Sequence, residues 1–148
     1  MTQPRAAITT ILFTDLLITE LLQQLGDEQG QRLFMQHHKL LSEVVATTSG
    51  QELQWLGDGL MAAFPSTSDA VRSAVAMQRA SAQPVLGHRL DIRVGLNVGE
   101  VLTQDSGGYF GTPLVVARRL CRSWWGRRAP TGSHFTSVRR FLLAPPTA

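Results

Sequence analysis

Two aspartates are the residues of this chain best placed to do chemistry. Asp58 stands in Gly57-Asp58-Gly59, a tight turn between two short apolar runs in the stretch QWLGDGLMAAFPS. Asp15 closes AAITTILFTDL, a segment rich in β-branched residues that reads as a buried strand with its acid at the exit. Two carboxylates fixed a few ångströms apart repel each other. The common compensation is a divalent metal, with Mg²⁺ preferred when phosphate oxygens complete its shell. The plainer alternative is that Asp58 is a good type I′ turn residue and Asp15 a strand-end cap.

The elements that must position these acids follow from periodicity and turn chemistry. After the first strand, apolar positions Leu33, Phe34, His37, Leu40, Leu41, Val44 and Val45 predict one helical face over residues 30–48, with Gly50 as the stop. ELQWL and LMAAF are two strands joined by the Gly-Asp-Gly turn as a hairpin. A second helix is expected over 69–82, capped by Ser68 or Thr67. LDIRVGLNVG is the next strand, with Arg93 and Asn97 alternating outward. Thr112 and Pro113 open a last helix through Cys121. Strand, helix, hairpin, helix, strand, helix is the order of a ferredoxin-like α+β fold, a βαββαβ sheet. In that topology the exit of the first strand and the tip of the hairpin lie at one end on neighbouring strands, so Asp15 and Asp58 converge.

With 148 residues, 43% hydrophobic and 17% charged, the composition fits one globular domain, read as residues 1–148. No apolar run is long enough to span a bilayer, and the start lacks the layout of a secretory signal, so a cytoplasmic location and no membrane span are expected. The single cysteine, Cys121, has no companion at metal spacing and reads as a small buried hydrophobe. Seven of the fourteen basic residues are arginines from Arg118 onward, with no acid among them. Residues 1–117 carry a net charge of −4, and the remainder supplies +7. Residues 122–148 therefore form a divergent basic tail, in which GSHFTSVRRFLL reads as one last strand and a short helix. No nucleic-acid partner is expected, because the hairpin strands lack the paired exposed aromatics that stack bases.

ILFTDL, LGDEQGQRLFMQHHKLL, LGDGLMAAFPSTSDAVRSAVAMQRA, LDIRVGLNVGEV and GGYFGTPLVVARRLC follow in an order and spacing that resembles the class III adenylate/guanylate cyclase catalytic domain of the bacterial type, over about residues 8–121. The resemblance implies a nucleotide cyclase fold with helices on one face of the βαββαβ sheet. It implies that Asp15 and Asp58 hold two ions, Mg²⁺ or Mn²⁺. One ion acidifies the ribose 3′-OH of ATP or GTP, and the other holds the triphosphate, so that in-line attack expels pyrophosphate. It also implies a dimer in which one subunit supplies the metal acids and its partner the base-reading and transition-state residues. Arg119 matches the arginine that stabilises charge on the transferring phosphate.

Several positions depart from that pattern. The family's purine-reading lysine is Gln54, its aspartate before YFG is Gly108, and its ribose-orienting asparagine is Val115. Arg118 neighbours Arg119 but points about 100° away on a helix, a weak substitute. The glycine-containing turn after the FTD strand is replaced by Leu17 and Ile18, in a loop one residue shorter, and these are poor replacements for backbone amides that cradle phosphates. The expectation is a cyclase homology domain, weak or inactive as a homodimer. The alternatives are a non-catalytic dimerisation or nucleotide-binding module, or the metal-side half of a heterodimer with another cyclase domain.

Overall fold

The computed structural model describes residues 3–17 and 19–123. Its elements are β1 (Arg5–Leu17), α1 (Thr19–Leu25), α2 (Asp27–Thr47), β2 (Gln51–Leu56), β3 (Gly59–Phe64), α3 (Thr67–Ala82), β4 (Asp91–Thr103), β5 (Tyr109–Phe110) and α4 (Thr112–Ser123). The described strands pair antiparallel in the order β2-β3-β1-β4-β5. This is the α+β ferredoxin-like arrangement read from the sequence, extended by β5 and α4. Ile18 and residues 124–148, with the strand and helix expected over 132–143, lie outside the described residues.

Strand alternation sorts the core into two layers. On one face Leu12 and Leu16 of β1, Leu60, Ala62 and Phe64 of β3, and Ile92, Val94 and Leu96 of β4 meet the apolar stripes of α2 and α3. On the other face Ile11, Phe13, Met61 and Ala63 meet Ala117 and Cys121 of α4, with Leu53, Leu56, Tyr109 and Leu114 at the margin. The helices of the βαββαβ core thus share one face, and α4, which follows that core, takes the opposite one. β3 lies between the two layers, and every one of its residues is buried.

The structure adjusts several local expectations. Residues 19–25, for which periodicity predicts no element, form α1, because Leu21, Leu22 and Leu25 find apolar cover against the core. Gly26, at φ 77°, separates α1 from α2, which starts at Asp27, before the expected residue 30. Helix α3 starts at Thr67, and its cap is Ser66, whose Oγ accepts from the Asp69 N–H at 3.4 Å. Strand β4 runs to Thr103, past the expected Gly99. The hairpin turn has positive φ only at Gly57 (65°), not at Asp58, which is the type II′ pattern; a type I′ turn would need both.

His37 occupies the apolar face of α2 and is fully buried, and among the described residues neither ring nitrogen has a hydrogen-bond partner. Burial, reinforced by the neighbouring His38, lowers its pKa from 6.5 to about 4. The folded state therefore refuses a proton that the unfolded chain accepts. The stability associated with neutral His37 is complete above pH 6.5 and is lost as the pH falls toward 4, by up to about 3 kcal/mol. His37→Leu is expected to stabilise the protein by about 1–2 kcal/mol at pH 7 and more at pH 5, flattening the acid limb. Urea melts of both proteins at the two pH values check this; parallel pH profiles would contradict it.

Candidate active site

The β1–β3 ladder runs to the pair Phe13–Met61, and there a side chain takes over: the Leu60 N–H donates to the buried Thr14 Oγ1 at 3.0 Å. This contact ties the start of β3 to the end of β1, so the exit of β1 and the turn carrying Asp58 stand together. The Asp58 carboxyl is pushed above its usual range, first by burial and then by the negative charge of Asp15. Hydrogen bonds from the backbone N–H groups of Asp58 and Leu16, and the charge of Arg93, oppose that rise. The two acids are close enough to feel one another, and Leu16 joins them through the main chain.

Arg93 is the site residue that sequence reading missed. It does not alternate outward: the β1–β4 register sets it opposite Asp15, and its Nη2 donates to Asp15 Oδ2. Their side chains are only 11% and 22% exposed. Its signal was an arginine within the apolar run of residues 92–96, but the partner lies 78 residues away and only the register reveals it. Helix α4 braces this strand from above. The Cys121 thiol, buried and pushed up to about 12 by desolvation and then by the charge of Asp15, donates to the Arg93 carbonyl at 3.5 Å. Cys121 is thus the small buried hydrophobe expected from sequence, with no reactive thiolate.

The positions expected on the partner side are distributed differently. Gln54 is exposed on β2 and Gly108 lies just before β5, at opposite ends of the strand order. The sheet curls enough for these edges to touch: the Tyr109 hydroxyl bonds Gln51 Oε1 at 2.8 Å. Trp55 of β2 is turned away to stack on His38, with ring centroids 3.6 Å apart, and its Nε1 donates to Glu52. On α4, Val115 is 49% exposed and Arg119 is also exposed. Arg118 instead lies over the Phe13 ring, its guanidinium carbon 5.9 Å from the centroid. The two arginines thus point to different surroundings, as a 100° step on a helix requires.

As a donor set, the site offers two hard carboxylates, and among the described residues no group of three His, Cys, Asp or Glu side chains could hold a metal. Two carboxylates close enough for the charge of Asp15 to raise the proton affinity of Asp58 suit a divalent cation whose remaining ligands arrive with a phosphate-bearing substrate.

By fold and by sequence likeness, the chain is a homologue of the class III adenylate/guanylate cyclase catalytic domain. An adenylate/guanylate cyclase/hydrolase structure from Silicibacter pomeroyi matches with a TM-score of 0.64 and 27% identity, over 78% of this chain and 70% of that one. The monomeric guanylyl cyclase domain of the RhoGC fusion protein from the aquatic fungus Blastocladiella emersonii shares the fold, with a TM-score of 0.69 at 15% identity over 80% of this chain and 77% of that one. A Rhizobium meliloti protein named "Putative adenylate cyclase 3" is 30% identical over 121 residues, which cover 78% of this chain. The match spans only 20% of that protein's length. No family model matches the chain. Among the described residues, no helix is long and apolar enough to cross a membrane.

Proposed function

We propose that the protein is a class III nucleotidyl cyclase homology domain that retains the metal side of the site and lacks most of the partner side. The observation that carries this reading is the pairing of Asp15 with Asp58 at one end of the sheet, while α4 presents Val115 where the family resemblance implies an asparagine. In this reading Asp15 and Asp58 hold two Mg²⁺ or Mn²⁺ ions together with ATP or GTP. When bound, the ions supply acidification of the ribose 3′-OH and neutralisation of the triphosphate. Arg119, exposed on α4, is available to a nucleotide held across a dimer interface, where it stabilises charge on the transferring phosphate. Val115 has no polar atom to orient the ribose, a loss of roughly 10²- to 10³-fold in rate if it acts like other missing donors. Gln54 and Gly108 leave the purine without the lysine and aspartate pair.

A homodimer repeats these defects in both of its sites, so turnover is expected to be weak or absent while metal binding persists. The protein is incubated with Mn²⁺ or Mg²⁺ and ATP or GTP, and cyclic nucleotide and pyrophosphate are measured alongside thermal melts with and without Mn²⁺. Mn²⁺ is expected to raise the melting temperature of the wild type and not of Asp58→Asn. Without metal, Asp58→Asn is expected to melt higher than the wild type, because the repulsion from Asp15 is gone. Turnover of about 10 s⁻¹ or more, the range of ordinary enzymes, would overturn the degenerate-homodimer reading. Equal Mn²⁺ shifts for the two proteins would remove Asp58 from the metal site.

A further inference from the structure

The pair of acids is not alone at its end of the sheet. Asp15 and Arg93 are direct cross-strand partners in the β1–β4 register, so their side chains leave the same face at adjacent positions. The guanidinium donates to Asp15 Oδ2 from a position only 11% exposed, where solvent and salt screen the attraction weakly. Its influence reaches both acids, since the charge of Arg93 also pulls the Asp58 carboxyl downward. One guanidinium is therefore shared by the electrostatics of two carboxylates, which leaves a cluster of net charge −1.

We infer that Arg93 is the resident counter-cation of the aspartate pair, and that its guanidinium must release Asp15 before that carboxylate can take a divalent ion. This rests on the reading of Asp15 and Asp58 as metal ligands and adds a gate to it. The backbone under Arg93 is not the moving part. Its carbonyl accepts from Cys121, and α4 passes so close over β4 that a Cβ on Gly95 would stand 2.2 Å from the Ala117 carbonyl oxygen. Exchange of cations at Asp15 is accordingly a rotation of the Arg93 side chain about a strand held in place by α4. Without the metal, Arg93 offsets the repulsion between two carboxylates that burial holds together. With it, the guanidinium is set free beside the ion, where a phosphate oxygen is a suitable new acceptor for its planar donors.

The test uses the full chain and Mn²⁺ alone, titrated calorimetrically into the wild type, Arg93→Gln, Arg93→Lys and Asp58→Asn. Arg93→Gln is expected to bind Mn²⁺ about tenfold more tightly than the wild type, the scale of one charge-assisted hydrogen bond removed from competition. Arg93→Lys is expected to stay near the wild type, and Asp58→Asn to lose binding. Unchanged or weaker binding by Arg93→Gln, with wild-type binding that still depends on Asp58, would overturn the gate and leave the metal-site reading standing. Absence of binding by both the wild type and Arg93→Gln at millimolar Mn²⁺ would overturn both. Should Arg93→Gln not fold, the uniformly ¹⁵N-labelled wild type is titrated with Mg²⁺, and the Arg93 Nε–H resonance is assigned from Arg93→Lys. That resonance is expected to move with metal saturation, and a stationary signal while the Asp58 amide moves would reject the exchange.

Discussion

Gly95→Ala is expected to cost the fold about 3 kcal/mol and to loosen α4 from the sheet. The argument is steric and local. A Cβ on Gly95 would stand 2.2 Å from the Ala117 carbonyl oxygen and 2.8 Å from the Cys121 nitrogen, both main-chain atoms of α4. A side chain can rotate out of the way, but a helix backbone can only translate, and translation of α4 separates Ala117 and Cys121 from Ile11, Phe13 and Val101. In most strand positions alanine in place of glycine is worth a few tenths of a kcal/mol to the folded state through lower chain entropy, so the sign here is set by the close approach. Urea denaturation followed by circular dichroism measures the loss. Alkylation of Cys121, protected in the wild type, should become rapid in the variant at pH 8. A midpoint equal to the wild type's would mean that α4 does not lie on β4 as described.

The second large effect is expected from a mixture of two proteins. This chain keeps Asp15 and Asp58 and departs from the family at Gln54, Gly108 and Val115, so its homodimer holds two sites with the same gaps. A second cyclase with intact lysine, aspartate, asparagine and arginine, but with both of its own metal aspartates changed to alanine, is deficient in the complementary way. Neither turns over ATP appreciably alone in the proposed reading, while one site of a mixed dimer contains both metal acids and all four partner-side groups and lacks only the glycine turn after Asp15. Cyclic nucleotide is expected only in the mixture, and Asp58→Ala in this chain is expected to lower its rate by about 10²-fold or more. Failure at concentrations where sedimentation demonstrates the mixed dimer would favour the non-catalytic module. The replacement of the family's glycine turn by Leu17 and Ile18 in the sequence would then be the leading cause, since a residue with a Cβ is a poorer choice than glycine where a backbone must come close to phosphate.

Much of this protein is legible without coordinates, because its elements are encoded by near neighbours. The Gly-Asp-Gly hairpin, the apolar stripes of α2 and α3, the first strand with Asp15 near its exit and the helix opening at Thr112 each follow from turn chemistry or from a period of 2 or 3.6. The βαββαβ order then places the two acids at one end of adjacent strands. The charge asymmetry and the departures at Gln54, Gly108 and Val115 are likewise plain in the residues. Local signals failed where tertiary contact overrides them: α1 forms because Leu21, Leu22 and Leu25 find a core to cover, and the cap of α3 falls to Ser66. What only the tertiary structure decided is who meets whom across the sheet. Register sets Arg93 opposite Asp15, curl brings Tyr109 to Gln51, and α4 lies on the face that α2 and α3 leave open. These depend on side chains and strand twist summed over residues far apart in the chain, where no local period carries information. The pairing of the Arg93 guanidinium with Asp15 is therefore not legible in the sequence of the strand that carries it.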